Sequence, residues 1–210
     1  MTFQNKDEAA KVVGGLSDPS KMPCYGYSLP ASECKTGSKI AAANPNSICG
    51  KCYAKKYRYM WRPIQKAMRN RLRSLYQPHW SEAMVFVMRG WKYFRWHDSG
   101  DIQSVRHLRN IVRVCRKTPD TKHWLPTREY KFVADFIASG EKIPDNLTIR
   151  LSASQFDGKP PEMMAKQLGV CVSGASKTEY NCPASHQSNA CGACRMCWDR
   201  NEFRVIYKKH

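Results

Sequence analysis

Residues 191–198 read CGACRMCW, so Cys191, Cys194 and Cys197 stand two residues apart with a tryptophan directly after. A two-residue gap turns successive thiolates toward one centre while the intervening amides face the sulfurs. Cys182, followed by Pro183, stands upstream and completes C-x8-C-x2-C-x2-C. Three cysteines on one short strip with a remote Cys-Pro fit ferredoxin-type ligation of a [4Fe-4S] cluster. Zinc is the competing reading, although a tetrahedral site ordinarily draws two cysteines from each of two separated knuckles.

A second set stands near the other end: Cys24, Cys34, Cys49 and Cys52, the last pair in CGKCYAKKYRY. C-x9-C with C-x2-C suits zinc as well as a cluster. With all four bound, the site is closed and is structural or carries electrons. With only Cys34, Cys49 and Cys52 bound, one iron of a cluster stays open for a substrate or cofactor. Cys115 falls on the apolar side of a helix with Val105, Leu108 and Val112, and Cys171 alternates with apolar neighbours in a short strand; both read as buried, inert thiols.

Composition bounds the setting. Ten cysteines without a recognisable export segment or a run of about 18 apolar residues point to a reducing cytoplasm and metal ligands rather than disulfides, with no membrane span. Lys and Arg outnumber Asp and Glu by 35 to 17, a formal +18. Each four-thiolate cluster with a core of about +2 removes about two charges. A strongly basic chain remains, which is suited to phosphate or nucleic-acid contact or simply to solubility.

The elements that must hold these residues follow from periodicity. Residues 5–13 form a short helix ended by Gly14-Gly15, and an irregular cysteine-bearing stretch runs to about residue 52. From Trp61 a helix carries Ile64, Met68, Leu72 and Leu75 on its apolar side, with Lys66, Arg69 and Arg73 beside it. Strand-like runs then alternate with helices: 93–97, a helix 102–117, 123–127, a helix 129–138, 147–153 and 169–174, with a last strand over 202–209. This is the pattern of βαβ units. The expected fold is α/β, a partial (β/α) barrel or small open parallel sheet with cysteine-rich N- and C-terminal segments. The 210 residues form one domain: a cysteine-bearing loop region (1–60), an α/β core (61–175) and a C-terminal cluster segment with the last strand (176–210).

Parallel-sheet proteins collect ligands at the carboxyl ends of their strands. His97, Asp98 and Asp101 follow the first of these runs beside Arg95, Arg128 and Glu129 follow the next, and Arg150 lies within the third. His97, Asp98, Asp101, Arg128 and Arg150 are therefore the candidate catalytic residues, against helix capping and ion pairing as the structural alternative. Arg106, Arg109, Arg113 and Arg116 make a basic stripe on the 102–117 helix. Lys55, Lys56, Arg58 and Arg62 interleave with Tyr53, Tyr57, Tyr59 and Trp61. Such aromatics either stack on bases or cover a cluster from water, and arginine stripes are often simply solvated.

YSLPASEC, CGKCYAKKYRY, RN at 69–70, FRWHDSGDI, WLPTREY, NLTIRLSAS and CPA…CGACRMCW, in that order, resemble the phage gene product 88 family. The resemblance implies a virus-encoded protein working in the cytoplasm of a bacterial host. More distantly, the C-x2-C-Y-A segment is similar to the cluster loop of radical-SAM-like phage proteins. That likeness implies S-adenosylmethionine at an open iron, with Ser99, Gly100 and Asp101 as the turn that binds it. It departs from the radical-SAM pattern in lacking C-x3-C-x2-C, and Cys24 can fill the open position. The expectation is an iron-sulfur protein with one or two [4Fe-4S] clusters, a redox or lyase enzyme on a small-molecule substrate. The alternatives are a zinc-stabilised nucleic-acid-binding protein and a non-catalytic electron-transfer protein.

Overall fold

The computed structural model describes residues 3–209. Six strands, β1 (Gly26–Tyr27), β2 (Tyr93–Trp96), β3 (Lys122–Thr127), β4 (Leu147–Ser152), β5 (Cys171–Ser176) and β6 (Arg204–Lys208), form one open sheet in sequential order. All five pairings are parallel. The expected α/β class with a partial β/α arrangement is what the chain adopts.

Seven α-helices connect or flank the strands: α1 (Lys6–Val12), α2 (Lys35–Ala43), α3 (Arg62–Ser74), α4 (Trp80–Val87), α5 (Val105–Lys117), α6 (Tyr130–Ala138) and α7 (Glu162–Gln167). Local chemistry sets their ends. The Asn5 side chain accepts from the Glu8 amide to open α1, and Ser104 does the same for His107 in α5. Four elements lie outside the expectation. Strand β1 has only two residues, too few to show a period. Helix α2 starts at a thiol and contains Gly37, and α4 and α7 are short.

The period-two alternation of the strands separates two faces. Phe94, Trp96, Leu125, Leu147, Ile149, Leu151 and Val172 point into a core shared with α1, α4, α5, α6 and α7. Cys115 is fully buried there. The opposite face carries Trp124 and Val205, covered by Cys197 and Trp198 of the C-terminal segment. With both faces covered, every residue of β4 is buried. The apolar side expected for α3 is only partly inside: Met68 and Leu75 are buried, whereas Ile64 is exposed. Arg71, two turns further along the same face, is buried, donating to the carbonyls of Ser28 (2.6 Å) and Leu16 (3.2 Å).

Candidate metal centres and the strand-end group

The chain leaving β1 delivers Cys34 to the start of α2. Gly37, in the first turn of that helix, faces two thiols: a Cβ there would lie 3.4 Å from Cys49 Sγ and 3.9 Å from Cys34 Sγ. Cys52 follows in a tight turn, its amide donating to the Cys49 carbonyl at 3.3 Å. This loop hangs on the carboxyl ends of two strands. The Ile48 amide donates to the Ser154 carbonyl beyond β4, and Thr36 donates from its amide and hydroxyl to Glu129 beyond β3, both at 2.8 Å. Burial pushes the Cys34 thiol up, and the charges of Asp101, Cys52, Cys49 and Glu129 push the same way. Burial also raises Cys49, with Arg128 opposing it. Cys34, Cys49 and Cys52 thus form one group, bordered by Asp101, Arg128 and Glu129.

The residues after β2 make the floor. His97 adopts a positive φ of 56°, and its Nδ1 lies 3.0 Å from the Tyr27 carbonyl. Asp98 accepts from the hydroxyls of Ser28 (2.5 Å) and Tyr59 (2.9 Å), and Tyr53 donates to its carbonyl. Ser99 locks β1 in place, donating to the Leu29 carbonyl at 2.8 Å and accepting from the Leu29 amide. Gly100 sits at φ 81°, where a Cβ would stand 2.5 Å from Leu29 Cβ, so only glycine fits. Ser99 and Gly100, expected to bind a cofactor, therefore pack into the joint between β1 and β2, Ser99 buried and Gly100 half-buried. Asp101 accepts from Thr127 Oγ1 (2.6 Å) and from the amides of Arg128 and Ile102 (2.8 Å each), while burial lifts its carboxyl to about 6. It positions the turn after β3. Arg128 spans to β4, donating from Nε to the Ala153 carbonyl at 3.0 Å.

The C-terminal thiols occupy the other face of the sheet. Cys24, Cys182, Met22, Tyr93 and Tyr207 pack against the cluster of Trp124, Cys197, Trp198 and Val205. The Cys191 amide donates to the Lys21 carbonyl at 3.0 Å, which ties the C-x2-C-x2-C strip to the segment before β1. Burial pushes Cys24 up to about 12, with the Cys191 charge adding to it and Arg95 opposing it. Burial likewise raises Cys182, Cys191 and Cys197, the last to about 11. Cys182 and Cys194 act on Cys191, and Cys182 acts on Cys197. Trp198 shields this group, its ring 5.3 Å from Trp124 and its indole donating to the Phe94 carbonyl.

A family model described as gene product 88 matches residues 1–200. The chain belongs to the gene product 88 family. No curated protein and no solved structure matches it. For this gene product 88 chain, then, roles rest on the geometry. Two placements depart from expectation. Cys24 stands with the C-terminal thiols rather than with Cys34, because β1 lies beside β2, whose face carries the C-terminal strip. Arg150 is fully buried and does not join the strand-end group. Its guanidinium donates to the carbonyls of Met196, Cys197, Asp199, Glu202, Val172 and Phe203, which leaves it no donor for a ligand.

Arg95 had been legible only as a neighbour of this group. It lies over the Trp124 ring at 4.3 Å, and the charges of Tyr53 and Asp98 hold it charged against its burial. Its charge also acts on Cys24, Cys191 and Cys197, so one cation borders both regions. The period-two position of Tyr207 in β6 is the signal for its contact with Cys197, 3.4 Å from hydroxyl to sulfur. Among the described residues no group of three or more His, Cys, Asp or Glu side chains is arranged to hold a metal ion. No helix is long and apolar enough to cross a membrane.

Proposed function

We propose that this protein carries iron-sulfur clusters at two thiol groups and performs redox or lyase chemistry on a small substrate, in the cytoplasm of an infected bacterium. The observation that carries the reading is the sorting of eight cysteines into a group of three and a group of five. Cys34 and Cys49 gather over Gly37 at the carboxyl edge of the sheet, with Cys52 in the turn hydrogen-bonded to Cys49. Cys24, Cys182, Cys191, Cys194 and Cys197 gather on the opposite face.

The donor sets favour clusters over single ions. One Zn²⁺, with Zn–S of about 2.3 Å, needs sulfurs about 3.8 Å apart. A tetrahedral zinc ordinarily draws two cysteines from each of two separated knuckles, whereas a cubane takes ligands from one strip spaced as Cys191, Cys194 and Cys197 are. Burial favours the protonated thiol at Cys24, Cys34, Cys49, Cys182, Cys191 and Cys197, and a cationic core would offset that by taking them as thiolates. Cys34, Cys49 and Cys52 would hold such a cluster through three thiols, leaving one iron for a substrate, with Arg128 bordering the thiols and Asp101 and Glu129 holding the surrounding turns. A bound cluster supplies one-electron transfer or Lewis acidity there. On the other face, five thiols exceed the four that a closed cluster takes, which suits a structural or electron-carrying role for that centre.

Iron, acid-labile sulfide and zinc per chain, with an ultraviolet-visible spectrum on protein purified without oxygen, test this. About four iron atoms with matching sulfide indicate one cluster and about eight indicate two. Zinc without sulfide sinks the proposal.

A further inference from the structure

Between Glu33 and Glu82 the chain contains no Asp or Glu, yet it contains eleven Lys or Arg. The fold turns most of these charges outward along one track. Lys51, Lys55, Lys56 and Arg58 are exposed on the turns that follow the three-thiol loop. Arg62, Lys66, Arg69 and Arg73 are exposed on α3 at spacings of four, three and four, which align them on one helix face about 20 Å long. Among the described residues none of these eight pairs with a carboxylate. Arg69 and Arg73 rest only on the neutral amides of Gln65 and Asn70.

Large apolar groups stand in the same track. Tyr57 is 82% exposed, Trp61 57% and Met60 56%, with Tyr76 beyond the far end of α3. The hydroxyls of their neighbours Tyr53 and Tyr59 are tied to Asp98, although the Tyr53 ring is itself 47% exposed, whereas Tyr57 and Trp61 stand open to solvent. Arg58 lies over the Trp61 ring at 5.3 Å, a pairing that presents a cation and a flat face together. Cations in a row with open aromatic faces between them are the elements of a single-strand platform: the cations neutralise phosphates and the rings stack on bases. A duplex hides its base faces, so the exposed rings select a single strand. The α5 stripe is different in kind. Arg109 pairs with Glu141 at 2.5 Å, Arg116 donates to the Lys142 carbonyl, and no exposed ring lies on α5.

We infer that the track from Lys51 to Tyr76 binds single-stranded nucleic acid, with Tyr57 and Trp61 stacking on bases and the α3 cations following the backbone. The cations and rings named for binding include no thiol, so the inference stands whether or not either thiol group holds a cluster. Its end at Lys51 adjoins Cys49 and Cys52, which brings a bound strand to the rim of the three-thiol group.

Fluorescence anisotropy with a labelled mixed-sequence oligonucleotide tests it, using the protein as purified and single-stranded DNA, single-stranded RNA and duplex in parallel. Binding to single strands should exceed binding to duplex, with log K falling by about 0.7 per phosphate contact for each tenfold rise in salt. Trp61→Ala and Tyr57→Ala should each weaken binding by about 5- to 150-fold, and Trp61→Phe should recover most of the loss. Lys55→Ala/Arg58→Ala should lower the salt slope, whereas Arg106→Ala/Arg113→Ala, which removes the same charge from α5, should change affinity less than twofold. Ultraviolet cross-linking of the unaltered protein should map to residues 51–76, independently of how the variants fold. The inference is overturned by equal loss from the two charge pairs, by cross-links on α5, by preference for duplex, or by binding to anionic vesicles but not oligonucleotides. The DNA and RNA arms distinguish the two sources of strand.

Discussion

Arg150 Nε donates to the carbonyl of Cys197 at 3.1 Å, so a residue in the middle of β4 grips the backbone of a thiol from the other end of the chain. The same guanidinium holds five more carbonyls, those of Met196, Asp199, Glu202 and Phe203 in the C-terminal segment and that of Val172 in β5. Without it the carbonyls of Cys197, Asp199 and Glu202 would lose the donor that Arg150 supplies, while those of Phe203 and Met196 keep the amides of Val172 and Asp199. Arg150→Met should therefore destabilise the protein by about 3–5 kcal/mol, which is about 6–20 °C in thermal midpoint for a chain this size. Metal content, measured below the transition, should fall at the C-terminal group first. A midpoint unchanged within error would mean that those carbonyls find other donors.

Cys24 tests the sorting of the thiols. Cys24→Ser should alter the spectrum and metal content assigned to the C-terminal group and leave those of Cys34, Cys49 and Cys52 intact. The reference is Cys34→Ser/Cys49→Ser/Cys52→Ser, which should do the reverse. If Cys24→Ser instead mimics the triple variant, Cys24 serves the strand-end site.

Gly37 separates cluster fit from helix stability. In a helix interior, alanine is favoured over glycine by about 1 kcal/mol. A Cβ at this position, however, meets Cys34 Cβ at 3.1 Å and Cys49 Sγ at 3.4 Å. Gly37→Val adds two methyl groups to that contact. It should lower metal at the three-thiol group severalfold while leaving that of the C-terminal group unchanged; equal loss at both would point to general misfolding.

Three buried histidines set the acid limit. Burial lowers His97 to about 4 and His123 to about 3, and it holds His107 well below its ordinary value. For His97, the Tyr27 carbonyl and Asp98 partly oppose this and Arg95 adds to it. The unfolded chain takes up these protons near pH 6.5 and the folded chain does not, so stability is complete above about 6.5 and falls as pH drops, by up to about 1.4 kcal/mol per pH unit for each histidine. Asp101, raised to about 6 by burial, works in the opposite direction between about pH 4 and 6. Unfolding at pH 5.5 should take up about two protons net, measurable by calorimetry in buffers of different ionisation enthalpy. Zero uptake would show that the histidines are solvated in the native state.

The alternation that marks β2 to β6 is a local property. Phe94 and Trp96 differ from Tyr93 and Arg95 in polarity because the two faces of the strand meet different surroundings, and that difference is written into adjacent positions. Strand β1 has no such record, because two residues hold no period, and α2 is obscured by Gly37, which is there for the thiols rather than for the helix. Likewise, a periodicity argument places Ile64 inside. Arg71, two turns along the same face, is held inside instead because a long cation can reach the Ser28 carbonyl just past β1, a demand that arises only once β1 and α3 are side by side.

The candidate site divides along the same line. Residue type and short spacing determine chemistry, so the sequence alone named the thiols, the strand-end carboxylates and the basic aromatic segment. Which thiols lie in one region, whether Arg150 meets a ligand or a ring of carbonyls, and which of Tyr53, Tyr57, Tyr59 and Trp61 face water are decided by contacts between segments distant in the chain. A one-dimensional order carries no such distances. The parallel sheet creates them by laying β1 against β2 and β4 beneath the C-terminal strip.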